Sequence, residues 1–461
     1  MTVSVVIPQV IADEIASVAR LPVETAGVML AGIVEGPQGE LKILARGMRW
    51  VTDDAYVRRE WNGLGISSGG YVPALAEAEA TRATCVWVHT HPGPEAWPSP
   101  SDHDRVVDRE ITELFRIRSA SPYYSALIFS PREQGLAFTG HIQREGAADK
   151  QVERMWQIGD RFRLTRAFDS AIPALSAIFD RNIRAFGSVV QQTLGDLRIG
   201  IVGCGGTGSA VGEQLVRLGV RQFTLIDPDR LSESNVTRVY GSFEADAGQP
   251  KVEVLSRHLK KIASDVQCEI VQSMITLEAS ARRLIGCDVV FGCTDDNAGR
   301  LVLSRLASFL LIPVIDCGVL LSSGPAGELM GIDARVTILS PGSACLVCRD
   351  RVDLARAGSE LLTPDERRRR EDEGYAPALA RTEPAVVTFT TGVAAAAVSE
   401  LLERLIGYGP IPRPSEILLR YHEREISTNV ALPRKGHYCN SDSQKLGMGM
   451  TEPFLEQTWP R

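Results

Sequence analysis

The sequence predicts an α/β chain of two units: an α+β sheet layered with helices over residues 1–145, and a Rossmann-like, doubly wound, mostly parallel sheet over residues 176–440. Three observations carry this. A length of 461 residues exceeds one domain of ordinary size. Strand-length apolar runs dominate the first half, whereas from Arg198 onward they alternate with helical stretches, as in βαβ units. Glycines cluster over Gly203–Gly208, where a buried strand turns into a helix.

In order, period-two and helical patterns predict a strand at Val3–Ile7, a helix at Val10–Ala19, and strands at Gly27–Val34 and Leu41–Arg46. A helix over Pro73–Arg82 leads into the apolar run that ends at His89, and Tyr124–Phe129 with Leu136–His141 makes a closing hairpin. The polar stretch near Gly146–Arg161 is helix-compatible and reads as part of a linker over 146–175, followed by a helical entry at Ile172–Leu194. Val386–Leu405 predicts a helix with an alanine-rich face, suited to close packing or a dimer interface. The mixed charges of Arg367–Glu373 read as a solvated loop and residues 441–461 as a polar tail; no internal repeat is visible.

Composition narrows the class. Hydrophobic content of 44% and charged content of 23% are those of a soluble globular protein. A net charge of −7, with no basic face interleaved with aromatics, disfavours nucleic acid as a partner. The start lacks the basic segment and apolar core of a signal peptide, and the weakly polar stretch Ala385–Val398 is short for a membrane span. A cytoplasmic location without membrane attachment is therefore expected. The nine cysteines, several inside apolar strands (Cys85, Cys287, Cys317), read as reduced thiols and not as a disulfide framework.

The sharpest local signal is His89-Thr-His91 followed by Ser99 and Asp102. The apolar run before His89 is a strand, so alternation points both imidazoles the same way, toward one metal. Asp102 can close a three-ligand set after the loop folds back, leaving a fourth position for water. Glu24, just before another apolar run, is placed to serve as a general base. This combination resembles the JAMM/MPN+ metalloproteases, zinc deubiquitinases and processing enzymes of ubiquitin-like proteins with a cytidine-deaminase-like fold. Seven residues separate His91 from Ser99 and two separate Ser99 from Asp102, which is that family's spacing. The resemblance implies that His89, His91 and Asp102 bind catalytic zinc, Glu24 takes the proton of the attacking water, and Ser99 stabilises the oxyanion. His103 reads as an ordinary surface residue.

The glycine turn Gly203-Cys-Gly205-Gly206-Thr-Gly208 opens a helix whose free N–H groups suit a phosphate, and Asp227 lies 24 residues beyond Gly203, where a ribose is held. Alone, this pattern leaves a nicotinamide or flavin enzyme open. Downstream, Asp229, Asn235, Arg238, Lys251 and Asp295 add cations and acids better matched to a triphosphate with magnesium. The set resembles the ThiF/MoeB and ubiquitin-activating-enzyme superfamily from about Arg181 to the mid-430s. That resemblance implies an ATP loop of Gly203, Gly205, Gly206 and Gly208, with Asp227, in the same acidic turn as Asp229, on the ribose. Asn235, Arg238 and Lys251 would contact phosphates, and Asp295 would bind Mg2+. Of Arg181 and Arg184, the second is better spaced to reach a partner subunit's site in a homodimer.

Cys345-Leu-Val-Cys348 matches half of the family's structural zinc site, and His437 with Cys439 can complete it. Between Arg349 and Tyr438 there is no cysteine, so the thioester nucleophile of true ubiquitin-activating enzymes is missing. Either the acyl-adenylate passes directly to another acceptor or a separate protein supplies the nucleophile; Ser359 and Thr363 are hydroxyls in the right region. The expectation is a bifunctional zinc peptidase and ATP-dependent adenylyltransferase, using Zn2+, ATP and Mg2+ on a ubiquitin-like or sulfur-carrier protein, with a conjugating enzyme as a further partner. Sulfur-carrier activation in cofactor or metabolite biosynthesis, a regulatory module with vestigial sites, and an NAD-dependent dehydrogenase are the alternatives.

Overall fold

The computed structural model describes residues 2–94, 97–133, 135–167, 176–324, 328–362, 366 and 385–460. The chain divides into two compact units: Met1–Ile172 with Phe309–Leu311 and Gln444–Thr451, and Pro173–Ser308 with Ile312–Ser443 and Glu452–Arg461.

The first unit runs β1 (Val3–Pro8), α1 (Gln9–Val18), β2 (Thr25–Glu35), β3 (Leu41–Trp50), a small hairpin of β4 (Tyr56–Glu60) and β5 (Gly63–Ile66), α2 (Val72–Thr81), β6 (Thr84–Thr90) and α3 (Asp102–Ser119). It continues with β7 (Tyr123–Pro131), β8 (Leu136–Arg144), β9 (Lys150–Gln151), β10 (Arg154–Ile158) and β11 (Arg163–Arg166). One sheet takes the order β11-β10-β1-β3-β2-β6-β7-β8-β9. Alternation sorts its side chains into two cores. Met29 and Ala31 of β2 join Ile11 and Ile15 of α1, while Ala26, Val28 and Leu30 join Leu75 of α2 and Phe115 of α3. Burying a side chain the size of Phe115 contributes on the order of 2 kcal/mol. In β6, Val86 and Val88 face α1, and Cys85 and Trp87 face α2 and α3. The same alternation carries His89 to the α3 side.

Two expectations are corrected here. The stretch expected as a linker supplies strands: β10 pairs in parallel with β1 from Ser4↔Arg154 to Pro8↔Ile158, and β11 pairs with β10. The buried side chains Val152, Met155, Trp156 and Ile158 are interspersed with the polar Glu153, Arg154 and Gln157, which hid the strand. Nor are residues 441–461 a loose polar tail. The Met450 N–H donates to Ile33 O of β2 at 3.1 Å, and a methyl group on Gly32 would meet Gly447 O at 2.1 Å, so this segment lies directly on β2. Further on, Phe454 and Leu455 are fully buried in the second unit.

The second unit opens, in the stretch expected as a helical entry, with α4 (Asp180–Phe186) and α5 (Ser188–Asp196), separated at Gly187 by a φ of +86°. It continues with β12 (Arg198–Val202), α6 (Gly206–Leu218), β13 (Gln222–Ile226), α7 (Lys251–Ile262), β14 (Gln267–Val271), α8 (Glu278–Arg283), β15 (Val289–Gly292) and α9 (Asn297–Phe309). Then come β16 (Val314–Ser323), β17 (Leu329–Leu339), α10 (Leu354–Glu360), α11 (Val387–Ile406), β18 (Glu416–Arg420) and β19 (Glu425–Asn429). The sheet order is β14-β13-β12-β15-β16-β17-β18-β19. Strands β14 to β16 are parallel and the rest antiparallel, so the doubly wound half carries an antiparallel extension. Helix α11 buries Val393, Ala394, Ala397 and Leu401, so its small-residue face is used within the unit itself. The expected charged loop Arg367–Glu373, and Thr363, lie outside the described residues. Among the described residues, no helix is long and apolar enough to cross a membrane.

Candidate functional site

In the first unit, His89, His91 and Asp104 bring one ligand atom each to within 4.8 Å of one another. Asp104 takes the place expected for Asp102, whose side chain is fully solvent-exposed and faces Arg105 at 3.5 Å. Helix geometry explains the correction. Ser101 is the N-cap of α3 and forms a capping box: the Asp104 N–H donates to Ser101 Oγ at 3.2 Å, and the Ser101 N–H donates to Asp104 Oδ2 at 2.7 Å. Asp102 is then the first helical residue and Asp104 the third, about 200° apart around the axis. Only the third turns back toward β6. The sequence holds the serine–x–x–aspartate spacing twice, two residues apart, and the cap selects Ser101 and Asp104 over Ser99 and Asp102.

The donors suit a metal. His89 Nε2 is buried without a hydrogen-bond partner and lies 3.5 Å from Asp104 Oδ1. Ligands of one tetrahedral zinc are about 3.4 Å apart for this pair of atom types. Burial pulls the His89 imidazole down to about 4 despite the charge of Asp104, so the ring is neutral, the form that binds a metal. Burial opposes ionisation of Asp104, yet its pairing with His89 over the pH range where that ring still carries a proton, and the hydrogen bonds from Ser101, hold the carboxyl below its ordinary value.

Beside these ligands lies a cavity of about 320 Å³. Glu24, His91, Ser101 and Asp104 line it, and Arg58, Trp61 and Asn62 of the β4–β5 hairpin form its other wall. Glu24 is buried immediately before β2, its N–H donating to Glu60 O at 2.8 Å, so the hairpin and the carboxylate are tied together. Ser99 is exposed and outside the cavity, whereas His103, read from sequence as an ordinary surface residue, lines it. The hairpin carried no chemical signature in sequence; the second serine–x–x–aspartate pair could have revealed Ser101 and Asp104.

In the second unit, β12 ends in the glycine turn at the N-terminus of α6. Gly203 has φ +91°, and a methyl group on Gly208 would lie 1.8 Å from Gly203 O, so both serve the tight turn. Gly205 differs: nothing lies within 4 Å of the position a methyl group would take, which leaves open space before the helix N-terminus. Arg238 lays its methylenes 3.3 Å from the same position at Gly206, and Asn235 is buried beneath, accepting from Ser232 N–H at 3.3 Å.

Asp227 accepts from the Cys204 N–H at 2.6 Å and the Asp229 N–H at 2.8 Å, fixing the turn; burial raises its pKa despite these bonds and nearby Lys251. Lys251, at the start of α7, reaches Asp229 at 2.7 Å. Asp295 is exposed in the β15–α9 loop, whose Cys293 O lies 2.5 Å from where a methyl group on Gly203 would be. These residues therefore converge on one turn. Arg184 does not: it is exposed on α4 and pairs with Asp180 one turn away at 3.0 Å.

A second metal-competent cluster joins Cys345, Cys348, His437 and Cys439, with all ligand atoms within 4.8 Å of one another. Cys348 and Cys439 sulfurs are 3.6 Å apart, as are Cys345 Sγ and His437 Nδ1. The edges of a zinc tetrahedron are about 3.8 Å for two sulfurs and 3.6 Å for sulfur and nitrogen. The hydrogen bond with Cys439 pulls Cys345 down to about 5, against the effect of burial, so a thiolate is available. The Arg434 N–H donates to Cys348 Sγ at 3.4 Å, but burial outweighs it and pushes the Cys348 thiol up.

Comparison with known proteins matches residues 179–441 to the ThiF family. A molybdopterin-synthase adenylyltransferase of Salmonella typhimurium is 29% identical over 172 residues, 37% of this chain and 65% of that protein. A sulfur carrier protein ThiS adenylyltransferase of Escherichia coli is 31% identical over 140 residues, 30% of this chain and 55% of that protein. A tRNA threonylcarbamoyladenosine dehydratase 2 of Saccharomyces cerevisiae is 32% identical over 129 residues, 27% of this chain and 29% of that protein. The match thus spans less than two thirds of each of these relatives.

Proposed function

The chain belongs to the ThiF family, and from that premise we propose that its second unit adenylates the C-terminal carboxylate of a ubiquitin-like or sulfur-carrier protein. The supporting observation is the open Gly205 turn at the α6 N-terminus, flanked by Arg238 and Lys251. In this reading a carboxylate oxygen attacks the α-phosphorus of ATP, the bond to the β-phosphate oxygen breaks, and pyrophosphate leaves. The turn's N–H groups and the two cations balance the charge gathering on the phosphates. Asp295 would hold Mg2+ at the loop beside Gly203, and Asp227 keeps the turn in register, with its ribose contact part of the same proposal. The relatives named for molybdopterin synthase and ThiS favour a protein tail as the acyl donor over a tRNA base, as does the net charge of −7. A homodimer in which Arg184 serves the partner's site, and hand-off to a conjugating enzyme or other acceptor without a thioester cysteine, belong to this proposal.

For the first unit we infer zinc-dependent hydrolysis at the same kind of tail, in the manner of JAMM/MPN+ enzymes. The observation favouring it is the convergence of His89, His91 and Asp104 on a cavity that also holds Glu24. Zinc held there would supply a Lewis acid for the scissile carbonyl. Glu24 would accept a proton at its carboxylate and return it to the leaving amine. Ser101 fixes Asp104 and borders the same space. Trimming and activation on one polypeptide would raise the effective concentration of the trimmed tail at the second site.

ATP–pyrophosphate exchange tests the principal reading. Exchange should appear with a small ubiquitin-like protein ending in glycine and vanish when that glycine is deleted. Tight NAD binding without any exchange would replace it with a dehydrogenase.

A further inference from the structure

We propose that Cys293 and Cys317 form a reversible disulfide beneath the nucleotide turn, so that the second unit carries an oxidation-responsive site. Strands β15 and β16 are parallel neighbours, and their last paired residues are Gly292 and Asp316. Cys317 is the next residue of β16 and Cys293 the first residue past β15, so the two follow directly on this last pair. Neighbouring strands are about 4.8 Å apart, inside the roughly 4.4–6.8 Å that a disulfide requires between Cα atoms. The Cys317 thiol points to Ile315 O of its own strand at 4.0 Å, and the Cys293 sulfur is near enough to act on it. Cys293 is half-buried and Cys317 buried, and both are free thiols. Neither has a role in the adenylation reading or in the cysteine–histidine cluster.

The exposure difference assigns the order of events. A peroxide reaches Cys293 first: its sulfur takes one peroxide oxygen, the O–O bond breaks, and a sulfenic acid and water form. The Cys317 sulfur then attacks the Cys293 sulfur, the S–OH bond breaks, and the hydroxyl leaves as a second water with the thiol's proton. Two thiols and one hydrogen peroxide thus give one disulfide and two waters. The neighbouring Cys293 sulfur and burial keep the Cys317 thiol protonated until that step, which makes it the resolving partner and not the sensor.

The location gives the bond a consequence. The Cys293 N–H donates to Val202 O at 2.7 Å, and Cys293 O packs against Gly203, so this residue is built into the glycine turn. Asp295 follows two residues later. Drawing the two sulfurs to a bond of about 2.05 Å moves the start of that loop. Only this consequence rests on the adenylation reading; the disulfide itself does not.

The test uses the full zinc-loaded chain, treated with hydrogen peroxide, alkylated and digested. We expect a linked peptide pair containing Cys293 and Cys317, about 2 Da lighter than the two free peptides and abolished by dithiothreitol. Pyrophosphate exchange should fall about ten-fold and recover on reduction. Cys317→Ser should keep its exchange activity through the same treatment. Absence of the linked pair overturns the proposal, and so does peroxide inactivation of Cys317→Ser at the wild-type rate. Zinc release, read with a chromogenic chelator, identifies damage at Cys345, Cys348 and Cys439; inactivation that tracks zinc release in both proteins also overturns it. A chain that forms the linked pair yet shows no exchange at all sinks the adenylation reading and leaves the disulfide standing.

Discussion

The two metal-competent clusters of side chains are built in opposite ways. Cys345, Cys348, His437 and Cys439 provide four donors, enough to close a tetrahedron, and two of the thiols are buried. His89, His91 and Asp104 provide three, and the space beside them is a cavity with a buried glutamate on its wall. Four donors hold a fold together; three donors and an acid leave room for a reaction. Each cluster also borrows its precision differently. The cysteine–histidine cluster draws on distant chain segments, 345–348 and 437–439, so a metal held there would cross-link them. The imidazole cluster draws on β6, the residue just past it, whose N–H donates to Phe129 O, and the capping box of α3, all held by hydrogen bonds of the fold itself.

The contrast is broken most violently by removing a ligand from each side. Cys439→Ser should release zinc and unfold much of the second unit, because a closed zinc site is worth on the order of 10 kcal/mol against a total stability of about 5–15 kcal/mol. Thermal melting together with zinc analysis reads this directly. His91→Ala should lose its metal with a melting temperature nearly unchanged. Equal destabilisation by the two substitutions would show that both sites are structural.

The choice between Asp102 and Asp104 sharpens the same comparison. Asp104→Asn should cut hydrolysis of a ubiquitin-like protein's tail by about a thousand-fold or more, whereas Asp102→Asn, on a fully exposed side chain, should change it less than about two-fold. Glu24→Gln should lose about a hundred- to ten-thousand-fold in rate with zinc stoichiometry preserved. If Glu24→Gln hydrolysed its substrate at the parent rate, the proton-accepting role would pass to another group in the cavity, of which His103 is the obvious one.

That substitution pair also shows where sequence reasoning reached and where it stopped. The alternation of Val86 to His89 announced a strand and a side for the imidazoles, and the structure puts His89 on the face that α3 covers. The glycine turn was equally legible, since strand, turn and helix are local and their residues contiguous. The third ligand was not, because two serine–x–x–aspartate pairs overlap and only helix capping separates them. The strands near Met155 and Trp156 were hidden for another reason. Their polar neighbours Arg154 and Gln157 lie at half-buried positions of β10, between β1 and the edge strand β11, so composition resembled a linker. The β4–β5 hairpin escaped altogether, as an exposed Trp61 and Val57 give no pattern until a cavity is seen beneath them.

On the nucleotide side the expected effects are smaller. Lys251→Ala should lower pyrophosphate exchange by about a hundred-fold while leaving tail hydrolysis untouched. The lysine is held by Asp229 in the structure, so Asp229→Ala should cost much less than loss of the cation itself. Exchange and hydrolysis assays on the same preparations separate the units. Parallel loss of both activities in Lys251→Ala would mean that the second site governs the first.

The weakest perturbation distinguishes fold from chemistry at a single residue. Ser101 caps α3, holds Asp104 Oδ2 through both its N–H and its hydroxyl at 2.7 Å, and faces the cavity. Ser101→Ala removes the cap and the hydroxyl bond but keeps the backbone one. Capping loss alone costs about 1 kcal/mol, a shift of a few degrees in melting temperature, and Asp104 should stay near the imidazoles because its N–H partner persists. If Ser101 only caps, hydrolysis should follow the small loss of zinc affinity and be restored by excess zinc. If its hydroxyl also meets the substrate, the rate deficit should persist at saturating zinc. Ser99→Ala, two residues earlier and exposed, should do neither, and a deficit there would return the oxyanion role to the earlier of the two serines.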